Sequence, residues 1–168
     1  MRAITSLVVG VALAVLLAAC GGGDGGDDEA SEPIVQLDAS ILPGSLAGLT
    51  VAAEDVGEQL ADVRRSYVAA AGFYSLREGE LLQGTIQVTQ LNDEADASDE
   101  RFQRAIVTQI GSAEPREFRM GTENVFLTSA TKQIVAVFFE GDNVVVLSTR
   151  EGFDRPRTLL REALELEL

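Results

Sequence analysis

Apolar residues in this chain keep two different rhythms. Gly72–Leu91 follows the strand period. Phe73-Tyr74-Ser75-Leu76-Arg77 leads to a polar break at Glu78-Gly79-Glu80, and Leu81 to Leu91 follows, with Ile86 and Val88 alternating with Thr85, Gln87 and Thr89. That is the pattern of a hairpin whose second arm has one buried and one polar face. The last third has the densest strand signal. Short strands are predicted over Arg116–Met120 and Val125–Thr128 around Gly121-Thr122. Two more are predicted over Gln133–Glu140 and Asn143–Thr149, joined by the loop-forming Glu140-Gly141-Asp142-Asn143. Ile134 to Phe139 and Val144 to Leu147 are apolar without a break. Successive strand residues point to opposite faces, so these two strands are expected at the centre of a sheet covered on both sides.

The helical rhythm occurs three times. Val56, Leu60, Val63, Tyr67, Ala70 and Ala71 predict a first helix after Glu54-Asp55, closed by Gly72. Its Arg64-Arg65 pair points apart on a helix and reads as solvated surface. Phe102, Ala105, Ile106, Gln109 and Ile110 predict a second helix, capped by Asp96 or Ser98. Asp99 and Glu100 then sit at the positive end of its dipole, and Gly111 closes it. Asp154-Arg155-Pro156 opens the third, with Asp154 as cap and Leu159, Leu160, Ala163 and Leu164 facing inward. Pro33–Ala53 is apolar but broken by Pro43, Gly44 and Gly48, and predicts only a short strand near Leu49–Ala52. The order of elements predicts the α+β class: one domain with a mostly antiparallel sheet and about three helices packed on it. Three helices are few for two faces. With the first and last on one face and the second on the other, part of a face is left thinly covered. Dimerisation, an apolar ligand or partner segment, or the Pro33–Leu49 segment would close it.

The N-terminus follows neither rhythm. After Arg2 an apolar run extends from Ile4 to Ala19, 16 residues, shorter than the roughly 20 a membrane-spanning helix needs. A basic start, an apolar middle and small residues at a cut site predict an export signal. Its end, Leu17-Ala18-Ala19-Cys20, resembles the lipobox of bacterial prolipoproteins. The resemblance implies cleavage between Ala19 and Cys20 and a diacylglyceryl group on the Cys20 thiol. It implies anchoring to the cell membrane at its extracytoplasmic face. Cys20 is the single cysteine, so no disulfide forms within the chain. Gly21–Glu32 reads GGGDGGDDEASE and can bury nothing, which predicts a flexible, self-repelling tether. Its G-G-x-G-x-D start matches one turn of a calcium-binding β-roll, but those repeats act in tandem and none recurs. The predicted division is therefore residues 1–19 as signal, 20–32 as lipidated cysteine and tether, and 33–168 as one folded domain.

Charge narrows the partners. Arg2 leaves with the signal, so 12 of the 13 cations face 27 anions, a net charge of −15. Phosphate backbones and anionic headgroups repel such a chain, which argues against nucleic-acid binding. Histidine is absent, which removes imidazole-based triads and, with one committed cysteine, the usual zinc sites. The acidic Asn92–Glu100 run lacks the turning glycine and closing glutamate of a helix–loop–helix calcium site. Ser129-Ala130-Thr131-Lys132 matches S-x-x-K, the nucleophile motif of penicillin-binding proteins and serine β-lactamases. The S-D-N and K-T-G partner motifs are missing, and the four residues fall between two predicted strands. No cofactor, metal or catalytic residue is predicted. A lipid-anchored binding or accessory module for a partner protein or apolar ligand is the leading expectation. A structural envelope lipoprotein without a ligand and a carboxylate-based hydrolase are the alternatives.

Overall fold

A computed structural model describes residues 33–60 and 67–168. The predicted signal, Cys20 and the tether lie outside the described residues, as do Val63 and Arg64-Arg65 of the first predicted helix. The described strands are β1 (Val35–Gln36), β2 (Ser45–Leu46), β3 (Leu49–Ala53), β4 (Val68–Glu78), β5 (Leu81–Leu91), β6 (Arg116–Met120), β7 (Glu123–Ala130), β8 (Gln133–Glu140) and β9 (Asn143–Arg150). The helices are α1 (Gly57–Leu60), α2 (Glu100–Ile110) and α3 (Pro156–Leu164). One sheet takes the strands in the order β2-β3-β4-β5-β9-β8-β7-β6, all antiparallel, with β1 added parallel to β4. This is the α+β domain that the sequence predicts.

The two continuously apolar strands do lie inside the sheet, β9 between β5 and β8. Phe138 and Val146 are 2% and 5% exposed, on opposite faces. One face carries Tyr74, Leu76, Ile86, Val88, Val145, Leu147, Phe138 and Val125 beneath α3, which contributes Leu159, Leu160 and Ala163. Leu42, Leu46 and Ala47 complete that cluster, with Leu37 and Ile41 packed against it. The Pro33–Leu49 segment thus closes over the face beside α3. The other face carries α2, through Val107 and Ile110, over Phe126, Val135, Val137, Val144 and Val146. Leu60 of α1, with Ile34 and Val56, covers Ala71 and Phe73 on the same face. The expected partition of helices is therefore corrected: α1 shares a face with α2, and α3 shares its face with the irregular segment.

Five local expectations are also corrected. Val68–Gly72 is strand, not the end of a helix: pairing with β1 and β5 overrides the helical propensity of its alanines. Gly72 terminates nothing. A Cβ there would lie 2.7 Å from the Tyr74 hydroxyl oxygen, so the glycine makes room for that ring within the strand. The cap of α2 is Asp99, whose carboxylate accepts from the Arg101 N–H, while Asp96 accepts from the Ser98 N–H and hydroxyl one turn earlier. Arg155 precedes α3 without a side-chain cap, and Asp154 instead accepts from Arg155 Nε at 3.3 Å. Finally, the second arm of the hairpin has no solvent-facing side: Gln87 and Thr89 are buried, and Gln87 Nε2 donates to Thr89 Oγ1 at 3.0 Å.

Candidate functional site

The lipidation and cleavage residues, Cys20 and Ala19, lie outside the described residues, so the site geometry concerns the folded domain alone. Its sheet has two unlike ends, set by strand register. Val68 opposes Leu91 at one end of the β4–β5 hairpin and Glu78 opposes Leu81 at the other. Asn143 and Glu140 lie toward the first end, and Arg150 and Gln133 toward the second.

At the second end a polar chain of contacts ties the turns together. Gln83 stands where the β4–β5 register shifts, and its side chain is buried. Its Nε2 donates to Glu78 Oε2 at 2.9 Å and its Oε1 accepts from Arg150 Nε at 2.5 Å. Arg155 then donates to Glu78 Oε1 and to the Ala47 carbonyl, at 2.8 and 2.9 Å, and lies 5.8 Å from the centre of the Phe153 ring. The Ala47 N–H donates to Glu162 of α3. These bonds satisfy the buried Gln83 amide and the Ala47 backbone groups and seat the β2–β3 turn on α3. The arrangement is a clasp. Gln83 was not singled out in the sequence; a polar residue next to Gly84 at the start of a strand marks a bulge only once the register is known.

Ser129 and Lys132 sit at the end of β7 and in the two-residue turn to β8, both exposed, with Lys132 in the left-handed region at φ 59°. The serine is not at a helix start and the lysine is not one helical turn beyond it, so the arrangement that S-x-x-K chemistry needs is not formed there.

The first end is acidic. Asp93, Glu94, Asp96, Asp99 and Glu100 occupy the β5–α2 connection and the start of α2. Asp142 stands in the β8–β9 turn, and its carbonyl accepts from the Leu91 N–H, which joins the two loops. Asp96 is held below the usual carboxylate range by the hydroxyl and N–H of Ser98. Glu140 behaves oppositely. Burial pushes its carboxyl up, the Leu168 backbone hydrogen bond opposes this, and the charges of Glu123 and Glu167 add to the rise. Its Oε2 is buried without a hydrogen-bond partner. Elsewhere Asp38 is lowered by the hydroxyl and N–H of Ser40, and Tyr74 is pushed up to about 12 by burial and by the charge of Asp38.

Glu140 and Glu123 are the carboxylates that approach each other at this end, the charge of Glu123 acting on Glu140. They stand on β7 and β8 beyond the last β7–β8 pair, Val125 and Phe138, whereas a cleft of about 580 Å³ lies toward the other end. That cleft is lined by Ala113, Glu114, Pro115, Arg116, Leu127, Thr128 and Ser129 and brings a single carboxylate to its wall. Among the described residues no three acidic side chains are grouped to hold a metal ion, and no helix is long and apolar enough to cross a membrane. Comparison of the chain with protein-family models, with curated proteins and with solved structures yields no match.

Proposed function

We propose that this chain is a bacterial lipoprotein, diacylated at Cys20, whose domain acts without catalysis as a binding or accessory module at the extracytoplasmic face of the cell membrane. The observation that carries the reading is Leu17-Ala18-Ala19-Cys20 at the end of a short apolar run, followed by a glycine- and aspartate-rich stretch and then a folded domain. Of the two kinds of partner, a protein is favoured over an apolar ligand. The Pro33–Leu49 segment and α3 cover one sheet face, and α1 and α2 pack on the other, so the described surface offers contact rather than an apolar cavity. The same coverage suits an envelope lipoprotein without a specific ligand, the second reading.

Cys20→Ser tests the anchor: the variant is expected to accumulate as unprocessed precursor without acyl label. Equal processing and equal labelling of variant and wild type would remove the lipoprotein reading. Cross-linking in intact cells, followed by recovery of the acylated protein, separates the two functional readings. A protein partner recovered in stoichiometric amount and lost on competition with unlabelled domain supports the module; recovery of lipids and self-contacts alone supports the structural role.

A further inference from the structure

The asymmetry between the sheet ends bears on how an anchored domain stands. Pro33 begins the described chain, and β1 runs parallel to β4 with Val35 opposite Ala70, so the chain enters the fold at the acidic end. The opposite end is nearly balanced: Arg77, Lys132, Arg150 and Arg155 stand against Glu78, Glu80, Glu151, Asp154 and Glu162. The separation of the ends follows from the strands. β4 and β5 each have 11 residues, about 36 Å at roughly 3.3 Å per residue.

We infer that the domain rides above an anionic bilayer with its acidic end toward the lipid but held off it by repulsion, and with the Lys132 turn facing outward. The inference rests on the lipid-anchor reading. On the tether reading of the sequence, residues 21–32 would have a root-mean-square reach of about 20 Å and a limit of about 40 Å. Turning the Lys132 end down onto the bilayer would stretch the tether almost fully, because its attachment would then stand about 36 Å above the surface. The anionic surface potential extends about 8–10 Å at physiological salt, within the reach expected of such a tether. Asp93, Glu94, Asp96, Asp99, Glu100 and Asp142 are exposed at the end that meets this potential, outnumbering Arg101 and Arg119 there, and residues 21–32 add five carboxylates. Partner contact then falls on the outer end and the sheet edges, clear of the headgroups.

Lys132 is the single lysine of the chain, so one amine-reactive donor dye marks the outer end, and Lys132→Arg controls for labelling of the α-amine. The acylated protein is reconstituted in vesicles with and without phosphatidylglycerol, each carrying a headgroup acceptor dye. Energy transfer is expected to be lower on the anionic vesicles at ~0.01 M salt and to become equal on the two at ~1 M, where the screening length shrinks about tenfold. A triple variant, Asp93→Asn with Glu94→Gln and Asp142→Asn, is expected to reduce the low-salt difference. Higher transfer on anionic vesicles would place the Lys132 end down and overturn the inference, as would equal transfer at low salt. Flotation separates the two levels. A chain that does not float with vesicles overturns the anchor and this orientation together, whereas one that floats with the wrong transfer overturns the orientation alone.

Discussion

The two faces of the sheet solve the same covering problem with different materials. Beneath α3 the layer is one continuous apolar cluster, from Leu49 and Tyr74 through Val88 and Val145 to Val125, sealed by Leu42, Leu46 and Ala47. Beneath α1 and α2 it is two clusters. Between them β5 presents Thr85, Gln87 and Thr89, flanked by Ser75 on β4 and Ser148 on β9. Ser75, Gln87 and Thr89 are buried. Ser75 Oγ donates to the Ala52 carbonyl at 3.4 Å, and Gln87 bonds Thr89. An apolar layer is held by area removed from water and by close packing. A polar strip adds little net stability even when each group is bonded, and costs much if one is left unpaired. The α3 face should therefore dominate folding stability.

The sharpest test of that comparison substitutes one phenylalanine on each face. Phe138→Ala removes a fully enclosed ring from the continuous cluster and is expected to cost about 3–5 kcal/mol. Phe73→Ala empties a site in the small cluster with Ile34, Val56, Leu60 and Ala71, beside the polar strip, and is expected near or below the lower end of that range. Domain stabilities of about 5–15 kcal/mol make the first a severe loss. Denaturant midpoints at equal slope measure both; a larger cost for Phe73→Ala would reverse the ranking of the faces.

A smaller effect probes how α2 is seated. Gly111 follows the helix with φ −102°, so it is not there for left-handed backbone. A Cβ on it would fall 1.9 Å from Thr128 Oγ1, and Thr128 Oγ1 donates to the Ala113 carbonyl at 2.8 Å. Gly111→Ala must displace that hydroxyl or lift the end of α2 from the sheet, at an expected cost of about 1–3 kcal/mol. Pairing it with Thr128→Ala tests the cause. The double variant is expected to recover part of the loss, and strict additivity would show that the contact is not its source.

The same contrast decides what the sequence made legible. Strands β8 and β9 were evident because unbroken apolar runs with β-branched residues have one stable use, a central strand. Gln133–Glu140 matches its predicted bounds, and Asn143–Arg150 exceeds its prediction by one residue. The β4–β5 hairpin was legible from its Glu78-Gly79-Glu80 break, with Gly79 at φ 59°. What misled was local likeness without tertiary context. Val68-Ala69-Ala70-Ala71 fits a helix as readily as a strand, and only pairing with β1 and β5 decides it. Gln87 and Thr89 look solvent-facing because polarity usually means exposure, yet packing on that face buries them. The Gln83–Glu78–Arg155 clasp joins residues far apart in sequence, and the acidic end joins four separate segments. No periodicity encodes either. The Leu17-Ala18-Ala19-Cys20 string, by contrast, is local and needs no fold to be seen.

The smallest expected effect concerns the edge where the α3 face meets the acidic end. Glu140 packs beside the residues after α3, where Leu166 and Leu168 reach the apolar cluster while Glu167 brings a charge toward it. Burial of Oε2 without a partner favours the protonated form in the native state more than in the unfolded chain. The sign follows from linkage. A carboxyl raised on folding binds its proton more tightly in the native state, so its contribution is greatest below the ordinary glutamate value and is lost as pH rises through the raised value. Asp38 and Asp96, both lowered, contribute in the opposite sense, above their ordinary values. Glu140→Gln isolates the first contribution, since the amide neither ionises nor repels Glu123. Relative to wild type the variant is expected to gain melting temperature as pH rises above the ordinary glutamate value, because burial and the neighbouring charges raise the Glu140 carboxyl and its ionisation costs stability in the wild type alone. A wild-type advantage that instead grows with pH would mean that ionised Glu140 is stabilised by contacts at this edge, and that the acidic end is tighter than its charges imply.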